Sequence, residues 1–202
     1  FWNLENLFDY EDDPDNPGDD EYLPEKEWDQ ARYERKLDHL AKAIVSMEAD
    51  LLAVCEVENR RVLEDLIRHQ NLVEEQWAIV HQDSPDHRGI DLALLYRKPF
   101  AEDGPSTLHK IDIGEGNTAT RGVLEVPMTL SGTKVTFLVN HWPSRWGGAE
   151  DSAREAEACG PEAELPGGET AEARCNRQER RGWCGRKAVK RAARVSQERA
   201  GQ

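Results

Sequence analysis

Several stretches of strand-forming sequence deliver a polar group at or near one end. Asn3 lies within FWNLEN, Glu56 within VCEVEN, Asp91 within HRGIDLALLYR, and Asn140 with His141 closes FLVNHW, which runs on to Arg145 in FLVNHWPSRW. Polar groups gathered at strand exits are where a rigid scaffold can hold chemistry in place. The chemistry available to this set is that of a hard divalent cation. Magnesium takes oxygen ligands, keeps several waters, and is bound through one or two carboxylates together with substrate phosphate oxygens. A carboxylate at Glu56 and an amide at Asn3 meet that requirement. A histidine beside them can protonate a leaving oxygen or steady charge developing on a phosphoryl group. Each residue also has a purely structural reading. Glu56 lies near Glu58 and Asn59, which can cap a following helix; Asn3 could satisfy loop backbone, His141 could be an ordinary exposed histidine, and Asp91 fits either reading. Trp142 and Trp146 read as packing at a sheet rim rather than as base-stacking platforms.

The elements that must position these groups follow from periodicity. Between Trp28 and Met47 the residues Tyr33, Leu37, Leu40, Ala41, Ile44 and Val45 recur at helical spacing, which predicts an amphipathic helix lying on a sheet. DLLAVCEVEN is continuously apolar, the pattern of a strand buried on both faces. A short helix is expected over Arg60 to His69, and strands over Trp77 to His81, Asp91 to Arg97, about Thr107 to Ile113, Gly122 to Leu130 and Lys134 to His141. Helix and strand alternate first and strands dominate afterwards, so the expected fold is α/β, a mixed β-sheet with helices on one side. The loop Asp9 to Glu21 carries eight carboxylates with Pro14, Pro17 and Gly18. Taking Asp13 as the first position of a calcium loop would place Pro17 fifth and Pro24 twelfth, where oxygen-bearing side chains are needed, so the loop reads as solvated and variable.

The chain has 202 residues with 38% apolar and 33% charged side chains, which excludes collagen-like and membrane-embedded classes. No apolar run approaches the ~20 residues of a membrane span, and localisation is not legible. From Glu150 to Gln202 the aliphatic branched side chains are Leu165, Val189 and Val195, too few to offset the entropy of ordering the segment, so 150–202 reads as a disordered tail behind a domain of 1–149. The net charge of -14 divides along the same line, with Arg174 to Gln202 contributing +8 and residues 1–173 carrying -22. So acidic a body repels a nucleic-acid backbone over most of its surface. Cys55 sits in a buried run, and Cys159, Cys175 and Cys184 lack zinc-type spacing, so no cysteine is assigned to a metal.

Five blocks in order, FWNLENLFD, DLLAVCEVENRRVLEDL, VHQDSPDHRGIDLALLYR, TRGVLEV and FLVNHWPSRWGG, resemble the endonuclease/exonuclease/phosphatase superfamily of metal-dependent phosphoesterases. This superfamily includes deoxyribonuclease I-like nucleases, abasic-site endonucleases, sphingomyelinases and inositol-polyphosphate phosphatases. The resemblance implies the first half of a four-layered αββα sandwich and hydrolysis of a phosphodiester or phosphomonoester by in-line attack of water. It implies magnesium as cofactor, with manganese as the alternative, held by Asn3 and Glu56. His141 would contact the scissile phosphate with Asn140 in support. Asp91 and Arg88 would border the site, Asp91 on the catalytic side and Arg88, with Arg145, on the substrate side. The partner it implies is a phosphate ester, with nucleic acid among the candidates.

The resemblance ends before the family's second half. No strand ending in Gly-Asp-Phe-Asn and no final Asp-His pair follow His141. The expected domain is therefore truncated, encoding about one of two sheets, and the tail reads as frame-shifted sequence. Two alternatives stand beside the enzyme: a catalytically incomplete, inactive fragment, and a nucleic-acid-binding protein that uses the basic tail. A missing second sheet would also leave one apolar sheet face uncovered and open to self-association.

Overall fold

The computed structural model describes residues 1–114, 117–118, 121–141, 164–165 and 169–170, and side chains through 111 and from 121 to 141. The chain divides into two units, Phe1–Ser144 and Arg145–Gln202.

In the first unit, strand β1 (Trp2–Leu7) runs parallel to β2 (Leu51–Val57) and is joined to it through helix α1 (Gln30–Met47). Parallel neighbours need such a crossover. Asp29 starts α1 by accepting a hydrogen bond from the Arg32 amide at 2.8 Å. Helix α2 (Arg60–Ile67) starts in the same way, with Asn59 Oδ1 accepting from the Val62 amide at 3.1 Å. Strands β3 (Ala78–Gln82) and β4 (Asp91–Tyr96) complete a four-stranded sheet in the order β1-β2-β4-β3.

A second sheet is built from β5 (Phe100–Glu102), β6 (Thr107–His109), β9 (Val123–Leu130) and β10 (Thr133–Asn140), with β9 pairing to β10, β5 and β6. Strands β9 and β10 form a hairpin closed by Ser131 and Gly132, at φ 51° and 84°. Positive φ at both positions matches the right-handed twist of the flanking strands. A small ladder pairs β7 (Asp112–Gly114) with β8 (Asn117–Thr118).

Two apolar clusters hold three layers together. Tyr33, Leu37, Leu40, Ala41 and Ile44 of α1 and Val62, Leu63 and Leu66 of α2 pack on Leu52, Val54 and Val57 of β2 and Ala93 and Leu95 of β4. Both helices thus cover one face of the first sheet, as the periodicity predicts; Val45, counted there as part of the apolar stripe, is exposed. On the other face Cys55, Leu92 and Leu94 meet Leu124, Val126, Met128 and Val139 of the second sheet. Strand β2 is apolar at successive positions because one face meets helices and the other meets a sheet.

The fold is the expected α/β one, a mixed sheet with helices on one side, and it differs from expectation in that this sheet's other face is covered. The strands after β4 build a second sheet instead of widening the first. Its inward positions Val135, Phe137 and Val139 alternate with Lys134, Thr136 and Leu138 along β10.

In the second unit the described residues are β11 (Glu164–Leu165) and β12 (Glu169–Thr170), an antiparallel pair. The expected tail disorder otherwise concerns residues outside those described, as does the basic segment 174–202. No helix among the described residues is long and apolar enough to cross a membrane.

Candidate active site

The site begins with an interruption of strand geometry. Residues Leu52 and Val54 face the helices, so strict alternation would turn Glu56 toward them too; instead Val57 takes that side. The register of β2 against β4 slips between Cys55 and Val57, leaving Glu56 as the extra residue of a bulge at φ 59°. Opposite it, β1 slips between Asn3 and Leu7, with Glu5 and Asn6 at φ 55° and 58°. Left-handed non-glycine residues cost about 1–3 kcal/mol each and persist where surrounding structure holds them. Here Lys36 Nζ donates to the Glu5 and Asn6 carbonyls at 2.6 and 3.1 Å, and the Asn6 amide donates to Glu56 Oε2 at 3.2 Å. Burial pushes the Lys36 ammonium below its ordinary pKa.

The bulge aims Glu56 at the end of the second sheet. His141, the residue after β10, places Nε2 3.5 Å from Glu56 Oε1, and the two side chains are 16% and 15% exposed. Burial, followed by the nearby Arg121 charge, lowers the His141 pKa against the opposing pull of Glu56, so the imidazole is neutral at pH 7. Arg121 Nε lies 2.8 Å from Asp86 Oδ2, an ion-pair contact whose angles fall outside hydrogen-bond geometry. Asp86 Oδ1 accepts from the Arg88 amide at 2.9 Å and lies 3.6 Å from Arg88 Nε. Tyr22 stacks on Phe8 with ring centroids 4.2 Å apart; burial, and then the charge of Glu56, raise its phenol pKa.

The structure brings some of the expected residues together and leaves others occupied elsewhere. Glu56 and His141 meet, and Arg88 contributes charge to their surroundings. Asn3 pairs in register with Cys55, one residue from Glu56, but its Oδ1 accepts from the Glu5 amide at 2.7 Å and the residue lines a groove with Arg32, Arg35, Lys36 and His39 of α1. Asn140 ends β10 opposite Val123 and is half-buried. The Asp91 carboxylate is buried and engaged by His81 Nε2 at 2.9 Å and by the Ser84 amide at 2.7 Å. Arg145 lies outside the described residues.

Four neighbours of this site were not legible as such. Asp86, Arg121 and Asn6 lie in the blocks that carry the family resemblance and Tyr22 lies just past the acidic loop, yet nothing in local spacing couples Asp86 to an arginine 35 positions later. Glu58 is buried too; its Oε2 accepts from the Asp9 amide at 2.8 Å, and burial pushes its pKa up to about 7.

The donor set fits a hard divalent cation. Glu56 offers carboxylate oxygens at the rim of the site, and one or two carboxylates with waters and substrate oxygens suffice for magnesium. His81, Asp83 and Asp91 also bring one ligand atom each within 4.8 Å of one another, but His81 and Asp91 already satisfy each other and Asp83 is exposed. Residues 1–162 match the sequence model of the Endonuclease/Exonuclease/phosphatase family, past the boundary at 149 read from composition. No curated protein matches the chain.

Proposed function

Because the chain belongs to the Endonuclease/Exonuclease/phosphatase family, we propose that its first unit hydrolyses a phosphodiester or phosphomonoester at the Glu56 and His141 site with magnesium or manganese. A divalent cation supplies charge to a phosphoryl oxygen and makes water a better nucleophile. Glu56 would hold it, with Asn3 completing the protein's share once its amide turns from the Glu5 backbone. His141, neutral and partly buried, donates a hydrogen bond to a phosphoryl oxygen whose charge grows in the transition state. Arg88 and Arg121 add positive potential, and Asp86 holds both near the loop that carries it.

One observation carries this reading: the 3.5 Å approach of His141 Nε2 to Glu56 Oε1 at the ends of strands from two facing sheets. Glu56→Gln and His141→Gln, assayed on a generic phosphodiester beside the folded parent, should each lose most of the turnover. Equal rates in parent and variants would refute the assignment.

A second reading has its own support. Among the described residues the other buried carboxylates near the site are occupied, Asp91 by His81 and Ser84 and Asp86 by Arg121 and Arg88. With none free to activate water, the unit would bind cation and phosphate without turnover. Phosphate binding by a parent that shows no hydrolysis would favour this reading.

A further inference from the structure

The acidic loop between β1 and α1 is mostly exposed, as its composition predicts, but it turns the Asp19 carboxylate inward. Asp19 is 2% exposed. Its Oδ2 accepts a hydrogen bond from the Asp13 amide at 2.7 Å, while its Oδ1 is buried with no hydrogen-bond partner among the described residues. The same carboxylate sits in a cluster: Asp12, Asp19 and Asp20 each bring an oxygen within 4.8 Å of the others. A buried carboxylate oxygen without a donor is costly, and three converging carboxylates add repulsion. A bound cation removes both costs.

We propose that Asp12, Asp19 and Asp20 form a calcium site that orders this loop. Three carboxylates on an irregular, partly exposed loop suit the flexible shell of six to eight oxygens that calcium accepts, filled out by carbonyls and water, whereas magnesium usually takes one or two carboxylates in a tight octahedron. The spacing differs from a twelve-residue calcium loop: Asp19 and Asp20 return beside Asp12 through the turn at Asp13 to Asn16, where the Asn16 amide donates to the Asp13 carbonyl at 2.8 Å.

The loop is fitted against the active site. A Cβ at Gly18 would lie 2.1 Å from the Arg88 carbonyl, so only glycine allows this approach, and Asp20 begins the single turn that ends in Tyr22. Calcium would thus fix the segment that packs on Arg88 and carries Tyr22. The proposal does not depend on the phosphoesterase reading.

Calorimetric titration of the full chain carrying Glu56→Gln keeps calcium at position 56 from being counted. One calcium per chain at a dissociation constant of roughly 10⁻⁴ to 10⁻³ M, with a rise in Tm, is expected. Adding Asp19→Asn should weaken binding at least about tenfold and abolish the rise. Circular dichroism checks folding, and the exposed pair Asp12→Asn and Asp20→Asn replaces Asp19→Asn if that variant is unfolded. Absence of binding by folded Glu56→Gln protein, undiminished binding after the loop substitutions, or equal affinity for magnesium would overturn the proposal.

Discussion

Arg121 and Asp86 form an ion pair across the molecule, with Nε 2.8 Å from Oδ2 and the Asp86 side chain fully buried. Arg121 lies just before β9 of the second sheet and Asp86 in the loop joining β3 to β4 of the first. Removing one member of a buried pair is costly, whereas replacing both with apolar groups of similar volume is often neutral. Asp86 keeps the Arg88 amide and guanidinium, so Arg121→Met should cost less than the roughly 3–5 kcal/mol of a fully uncompensated charge, and Asp86→Leu with Arg121→Met should recover part of it. Urea unfolding of the two single variants and the double variant checks this; a fully additive double variant would mean that the residues act independently.

The contact between sheets makes a second prediction. Leu94 is fully buried and faces Leu124, Val126 and Met128 from the opposite sheet. Leu94→Ala should cost about 2–5 kcal/mol through lost transfer energy and a residual cavity. Met128→Ala should be comparably damaging. If Met128→Ala leaves the urea midpoint unchanged, the second sheet does not cover the first.

That sandwich shows where sequence reading stops. The run from Leu51 to Val57 and the helical spacing of Leu37, Leu40 and Ile44 reveal buried faces because burial is written into side-chain type at fixed periods. They do not reveal what covers each face, since helix and sheet present the same apolar surface. The strands expected over Gly122 to Leu130 and Lys134 to His141 form over Val123–Leu130 and Thr133–Asn140, but nothing in their spacing shows that they build a separate sheet. Glu56 and His141 stood out as polar groups at apolar strand ends. Asp86 with Arg121, and His81 with Asp91, are tertiary pairings that no local spacing encodes. The run of acids from Asp9 to Glu21 is mostly solvated, and nothing in its spacing singles out Asp9 and Asp19, the two carboxylates that the fold buries.

Lys36 gives a third prediction. Its ammonium ties two carbonyls of the β1 bulge, and hydrogen bonds from charged groups are worth about 1.5–3 kcal/mol. Lys36→Met keeps the aliphatic stem but releases Glu5 and Asn6, so stability should fall by at least about 1.5–3 kcal/mol. Hydrogen exchange at the Asn6 amide should accelerate, because its bond to Glu56 loses support. Unchanged exchange would show that the bulge holds itself.

Cys55 makes a fourth. It is buried between the sheets, and burial, reinforced by the charge of Glu56, pushes its thiol up to about 12. Thiolate is the reactive form, and its share grows only as pH approaches that value. Maleimide at pH 7 should therefore leave Cys55 unmodified in the native chain and label it in urea, as read by peptide mass spectrometry. Rapid native labelling would contradict the packing of β2 against the second sheet.

The phosphoesterase reading is tested most directly by generic phosphodiester turnover in the parent chain, after chelation and again after magnesium is restored, with Glu56→Gln run in parallel. The account predicts turnover that chelator abolishes and magnesium restores, together with a loss of at least about 10²-fold in kcat/KM for a folded Glu56→Gln protein. Chelator-resistant turnover, or a Glu56→Gln protein as fast as its parent, would contradict it.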